Sequence, residues 1–157
     1  MSASAWNPDV VRAIVDRWSR AEGPLLPVLQ EAQDAFGHVP DVAIDFIAEA
    51  LNLSRAEVFG VVSFYPDLRA SPPGRRVVRV CRAEACQAMG APGPAEALLA
   101  FYRMDWGETS RDGALTVEPA YCLGLCAAAP AALIDGVPLG RLTAETLRAA
   151  VEGRPEP

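Results

Sequence analysis

The sequence predicts a mixed α/β chain, α+β overall, with a small helical bundle over residues 1–74 and a layered domain over residues 75–157. Three observations predict it. Apolar residues recur at helical spacing through residues 7–65, whereas short β-branched runs begin only at Arg76. Between the two lies Ser71-Pro72-Pro73-Gly74, a cluster of turn and breaker residues that marks a boundary. All four cysteines fall after that boundary.

Taking the elements in order, Asn7 is placed to cap a first helix, with Pro8 at its first position, where a missing N–H costs little. Val10, Ile14 and Trp18 recur at fours with Val11 and Val15 beside them. Gly23 and Pro24 close that helix and open a second, in which Leu25, Leu29, Ala32 and Phe36 form a stripe before a stop at Gly37. A third helix follows Pro40, with Ala43, Ile47 and Ala50 on one face and Phe46 beside it. Ser54 and Glu57 have capping-box spacing and open a short fourth helix through Val58, Val61 and Val62. Each apolar stripe needs a partner, so the four helices should pack against one another.

Beyond the boundary, Arg76 to Val80 reads as a strand. Pro94 starts a helix carrying Ala97, Leu98, Phe101 and Tyr102; Asp112-Gly113 is a turn, and Leu115 to Glu118 alternates as a second strand. Ala132 to Ile134 and Val137 to Leu139 are two further strands joined by a tight turn at Asp135-Gly136. Thr143 caps a last helix with Leu147 and Val151 inside, stopped by Gly153 and Pro155. Strand, helix, three strands and a helix resemble a small thioredoxin-like layered fold, with a mixed four-stranded sheet.

Composition narrows the function. A net charge of −6 gives no basic stripe for nucleic acid, and no segment reaches the ~20 apolar residues that direct membrane insertion requires. Met1 to Val11 lacks the basic flank and apolar run of a secretory leader, so a cytoplasmic location is expected. In that reducing compartment, clustered cysteines point to metal or redox chemistry rather than to disulfides.

The cysteines form two pairs, Cys81/Cys86 with four residues between them and Cys122/Cys126 with three. Cys81 follows the first predicted strand, and Cys122 follows the second after a short extension through Pro119. With a helix crossing between them, those strands run parallel and end at one sheet edge, which brings all four thiols to a single site. Gly90, Gly93 and Gly124 suit close backbone approach to a polynuclear anion such as a 2Fe–2S cluster, and the helix near Pro94 can turn its positive end towards it. Leu123, Leu125 and Ala127 to Ala129 are expected to restrict water on the second side. Four thiolates at these spacings also fit structural zinc, although zinc ribbons generally pair two tighter C-x2-C units. A dithiol enzyme would use C-x-x-C, which is absent, and four buried, unligated cysteines would not explain the clustering in two short-spaced loop pairs.

No other residue makes a comparable site. His38 has no second histidine and reads as a helix-end residue, Ser63 and Tyr65 lack catalytic partners, and Gly107 to Ser110 reads as a solvated loop. No dinucleotide fingerprint or phosphate loop is present. No active site is therefore expected on this chain alone.

Val80 to Gly90 (VCRAEACQAMG) and Tyr121 to Pro130 (YCLGLCAAAP) resemble the two cluster-binding loops of thioredoxin-like 2Fe–2S subunits. Such subunits occur in respiratory complex I, NAD-linked hydrogenases and NAD-dependent molybdenum formate dehydrogenases. Val58 to Tyr65 (VFGVVSFY) also resembles the family's segment ahead of the linker, and the resemblance spans nearly the whole chain. CRAEACQAMGA and YCLGLC are most similar to the gamma subunit of the formate dehydrogenases. The resemblance implies Cys81, Cys86, Cys122 and Cys126 as ligands of one 2Fe–2S cluster. It also implies a partner flavoprotein subunit binding FMN and NAD, and beyond it a subunit carrying molybdenum cofactor and iron–sulfur centres. Pro66 stands where family members commonly have a histidine after the Phe-Tyr pair; that position is not a ligand in the pattern. The helical half is then expected to dock partners, with Trp6, Phe64 or Tyr65 available for contact.

Overall fold

The computed structural model describes residues 6–153 and divides the chain into two units, Met1–Pro72 and Pro73–Pro157. In the first unit four helices form, α1 (Pro8–Trp18), α2 (Leu25–Phe36), α3 (Asp41–Leu51) and α4 (Arg55–Phe64). Local chemistry sets their ends. The Asn7 side chain accepts from the Asp9 N–H at the start of α1, and Gly37 closes α2 in the left-handed conformation at φ 77°. Ser54 and Glu57 complete both halves of the capping box on α4.

The apolar stripes meet in one core that includes Val11, Ile14, Leu29, Phe36, Ile44, Ile47 and Val58. The α3 face differs from expectation. It buries Ala43, Ile44, Ile47 and Ala48, while Ala50 is exposed, because a 3.6-residue period carries position 50 past the edge of a stripe centred between 44 and 47. The Gln33 side chain ties the segment after α4 to α2. It donates to the Asp67 carbonyl at 2.8 Å and accepts from the Arg69 N–H at 2.6 Å.

The second unit holds β1 (Arg76–Cys81), α5 (Glu84–Ala88), α6 (Pro92–Tyr102), β2 (Leu115–Ala120), a 3-10 turn (Cys126–Ala128), β3 (Ala131–Ile134), β4 (Val137–Gly140) and α7 (Ala144–Glu152). The sheet order is β2-β1-β3-β4, with β1 parallel to β2 and the other pairs antiparallel. Register aligns Val78 with Val117 and with Ile134, so these side chains share one face and pack with Leu98, Leu99, Leu147 and Val151 of α6 and α7. Asp135 and Gly136, at φ 52° and 84°, make the tight β3–β4 turn.

Three elements depart from the sequence reading. Helix α6 begins at Pro92 rather than Pro94, and its buried face is Ala95, Leu98 and Leu99, with Ala97 and Phe101 exposed. Helix α5 was not expected at all. Strand β2 continues through Pro119 to Ala120. Proline is tolerated there because β2 is the outer strand of the sheet. At the last helix, Thr143 caps α7 and Gly153 follows its end, while Pro155 lies outside the described residues.

Candidate metal centre

The parallel β1–β2 ladder fixes the site. Cys81, the last residue of β1, lies opposite Ala120, the last of β2, and the Arg82 N–H continues the ladder by donating to the Ala120 carbonyl at 2.7 Å. Cys81 and Cys122 therefore leave the same sheet edge within two residues of its end. Cys86 returns on α5, where its carbonyl accepts from the Ala91 N–H at 2.9 Å, tying the start of α6 to the thiol loop. Cys126 opens the 3-10 turn, and its sulfur lies 4.0 Å from that of Cys122.

All four thiols are free, and they divide by exposure: Cys81 and Cys86 are buried, Cys122 and Cys126 are exposed. Ala91, Ala131, Leu123, Leu125 and Ala129 pack around the buried pair. Water is thus restricted on the Cys81/Cys86 side, whereas Ala127 and the second pair remain open.

Backbone donors converge on the buried sulfurs. Burial raises the Cys81 thiol, but the N–H groups of Ala83, Leu123 and Cys122, together with the Cys86 thiol, outweigh it and leave Cys81 below its ordinary value. Burial and the hydrogen bond to Cys81 push Cys86 up, opposed by the Ala131 N–H. Cys126 is raised by its hydrogen bond to Cys122 and by that neighbour's charge. Cys122 has φ 88°, a left-handed backbone that a non-glycine residue adopts only under tertiary constraint, at a cost of roughly 1–3 kcal/mol. Its own N–H and that of Leu123 both reach Cys81.

The residues fit a sulfur-rich anionic centre on the chemistry of this donor set: four thiols in two pairs, with amide donors aimed at sulfur. Among the described residues, no three His, Cys, Asp or Glu side chains converge on the radius of a single metal ion. Gly90 and Gly124, at φ 86° and 75°, supply left-handed turns, and a Cβ on either, or on Gly93, would meet nothing within 4 Å. Beside the second thiol pair the protein itself packs closely at Gly140, where a Cβ would stand 2.7 Å from Ala128 Cβ and 2.8 Å from its carbonyl oxygen. Gly140 thereby lets β4 seat the turn that carries Cys126. Sequence reasoning also missed Arg82, whose guanidinium lies 4.9 Å above the Trp106 ring and flanks the first thiol loop.

Of the remaining candidates, His38 Nδ1 lies 3.1 Å from the Phe36 carbonyl at a helix end, and Ser63 donates to the Gly60 carbonyl. Phe64 and Tyr65 are exposed and pack edge to face, while the half-buried Trp6 lies tilted against Phe36 and edge-on to Phe46 at the helical core. No helix among the described residues is long and apolar enough to cross a membrane.

A mixed sheet of this order packed against α6 and α7, with two cysteine pairs at the shared end of its parallel strands, has a thioredoxin-like layered arrangement. Residues 11–154 match the thioredoxin-like [2Fe-2S] ferredoxin family, and the chain belongs to it. It is 32% identical over 129 residues to HndA of the NADP-reducing hydrogenase of Solidesulfovibrio fructosivorans, covering 82% of this chain and 75% of that one. It is 35% identical over 127 residues to a subunit of the NADH-quinone oxidoreductase of Escherichia coli (strain K12), covering 81% and 76%. A solved NAD+-reducing [NiFe]-hydrogenase contains a similar chain, with TM-score 0.67, 29% identity and 82% of this chain covered. The match spans only 22% of that longer hydrogenase chain.

Proposed function

We propose that the chain is an electron-transfer subunit that holds one 2Fe–2S cluster through Cys81, Cys86, Cys122 and Cys126 within a multisubunit NAD-linked oxidoreductase. The observation that carries this is the placement of two pairs of free thiols at the common end of β1 and β2, with the N–H groups of Cys122 and Leu123 reaching Cys81. Bound there, the cluster supplies one-electron transfer. The chain's own residues do the rest. Four thiolates bind, and the N–H groups of Ala83, Cys122, Leu123 and Ala131 hold negative charge on the two buried sulfurs. Leu123, Leu125 and Ala129 exclude water from that side, while the exposed Cys122/Cys126 edge shortens the path to a partner. No acid–base or nucleophilic step is assigned to this chain.

Similarity to HndA and to the NADH-quinone oxidoreductase subunit supports an NAD(P)-linked assembly, and the resemblance of the two thiol loops implies a flavoprotein partner binding FMN and NAD. Within that class, the wording of CRAEACQAMGA and YCLGLC supports a formate dehydrogenase, in which formate oxidation on a molybdenum subunit is coupled to NAD reduction. The two relatives support a hydrogenase or complex I parent instead. We place the chain in the cytoplasm, where reducing conditions keep its thiols free. Affinity purification of the tagged chain from its source tests the assignment. A molybdenum subunit and formate-dependent NAD reduction support the formate assignment; a nickel subunit or membrane-arm subunits overturn it.

A further inference from the structure

The two cysteine pairs differ in a way that cluster binding does not require. Cys81 and Cys86 are each 2% exposed and sealed by Ala91 and Ala131. Cys122 and Cys126 lie on the surface with sulfurs 4.0 Å apart. Between them stands Gly124 in a left-handed turn, and Tyr121 beside them is 67% exposed. We propose that, in the chain without its cluster, Cys122 and Cys126 are a thiol-modification site. A small disulfide of the glutathione type closes them into a reversible disulfide, and the closed form does not accept the cluster. The last clause rests on the ligand assignment proposed above.

The chemistry balances without a further reagent. The thiolate of one exposed cysteine attacks a sulfur of glutathione disulfide, forms a mixed disulfide and releases one glutathione thiolate. The neighbouring thiolate then attacks the protein sulfur of that mixed disulfide and releases the second. Two protein thiols lose two protons and two electrons in all, and one glutathione disulfide is reduced to two glutathiones. Closing a bond of about 2.05 Å from 4.0 Å asks for roughly 2 Å of sulfur movement, which side-chain torsions on a surface turn can supply. Attack at Cys81 or Cys86 demands that a tripeptide disulfide reach a sulfur enclosed by packed side chains, so access selects the outer pair. With that pair joined, two of the four thiolate donors are consumed.

The test uses the full chain stripped of metal under reductant, then exposed to glutathione disulfide. Quenched alkylation and peptide mapping follow both pairs with time. Cys122–Cys126 should close at least about tenfold faster than Cys81–Cys86, and in guanidinium the ratio should fall to within about threefold, since burial alone separates them. The closed protein should regain visible absorbance from iron and sulfide only after dithiothreitol. A native rate ratio below about threefold, a first bond at Cys81–Cys86, or glutathione left stably on Cys126 would overturn the site. Closure at the outer pair with full cluster uptake by the closed form would overturn its consequence. Failure of the ligand assignment itself reads out separately, as iron and sulfide uptake that survives Cys122→Ser in the reduced chain.

Discussion

Replacing Gly140 with alanine tests how the fold seats the second thiol pair. The added Cβ would stand 2.7 Å from Ala128 Cβ and 2.8 Å from the Ala128 carbonyl oxygen, and the latter is backbone that cannot rotate away. Gly140 does not have a left-handed φ, so the whole cost is the collision. Overpacking of this kind costs about 1–3 kcal/mol. The Arg141 N–H bond to the same carbonyl, 2.7 Å long, lies in the strained contact, and its loss adds about 1 kcal/mol. The expected destabilisation is therefore about 2–4 kcal/mol, confined to the second unit. Hydrogen exchange followed by mass spectrometry reads the opening free energy of β1 and β3 separately from that of the helical unit. Gly93→Ala is the matched control. Gly93 sits in the first turn of α6 with open space around it, so alanine there should be neutral or stabilise by up to ~1 kcal/mol. Equal protection in Gly140→Ala and the parent, within about 0.5 kcal/mol, would refute the close approach and its role in placing Cys126.

Other perturbations follow from the same contacts. Ser54→Ala removes the α4 cap and should cost about 1 kcal/mol, measured by urea unfolding of the helical unit. The backbone N–H and hydroxyl of Ser54 hold the Glu57 carboxylate below its usual range. A lowered folded value means that its stabilisation is present above the unfolded value and is lost as pH falls through the folded one. Glu57→Gln should therefore flatten that acid limb, and an unchanged limb would contradict the capping role. Leu147→Ala, at a fully buried position under the sheet, should cost about 2–5 kcal/mol in the second unit by hydrogen exchange. Cys81→Ser should abolish or strongly alter the visible spectrum, because that sulfur receives three backbone donors; an unaltered spectrum would remove it from the ligand set.

The helical unit was largely legible because its signals are local. Asn7, Gly37 and the Ser54/Glu57 pair act within one turn, so their spacing alone places helix ends. Ala50 falls just past the edge of the buried stripe, an angular offset that apolar spacing alone does not resolve. The convergence of the cysteines was legible for a topological reason: a helix crossing between two parallel strands brings their ends together whatever the loops contain. The loop interiors were not legible. Helix α5 has five residues and no side-chain cap at Ala83, so it forms on tertiary support rather than on propensity. No cysteine announces a left-handed backbone, so the turn at Cys122, which delivers its donors to Cys81, emerges only from packing. Gly140 looked like an ordinary strand residue because its neighbour, Ala128, belongs to a different element. Arg82 and Trp106 meet across α6 and its flanking loops, a separation over which sequence pattern carries no information.

The measurement that bears most directly on the central claim is metal and sulfide analysis of the purified full chain, paired with its spectrum before and after reduction. A 2Fe–2S centre on these four cysteines predicts equal iron and acid-labile sulfide, about two of each per chain, with visible absorbance that dithionite bleaches. It also predicts a paramagnetic signal in the reduced protein and loss of both signatures in Cys122→Ser. A colourless protein with one zinc per chain, unchanged by reductant, would contradict it.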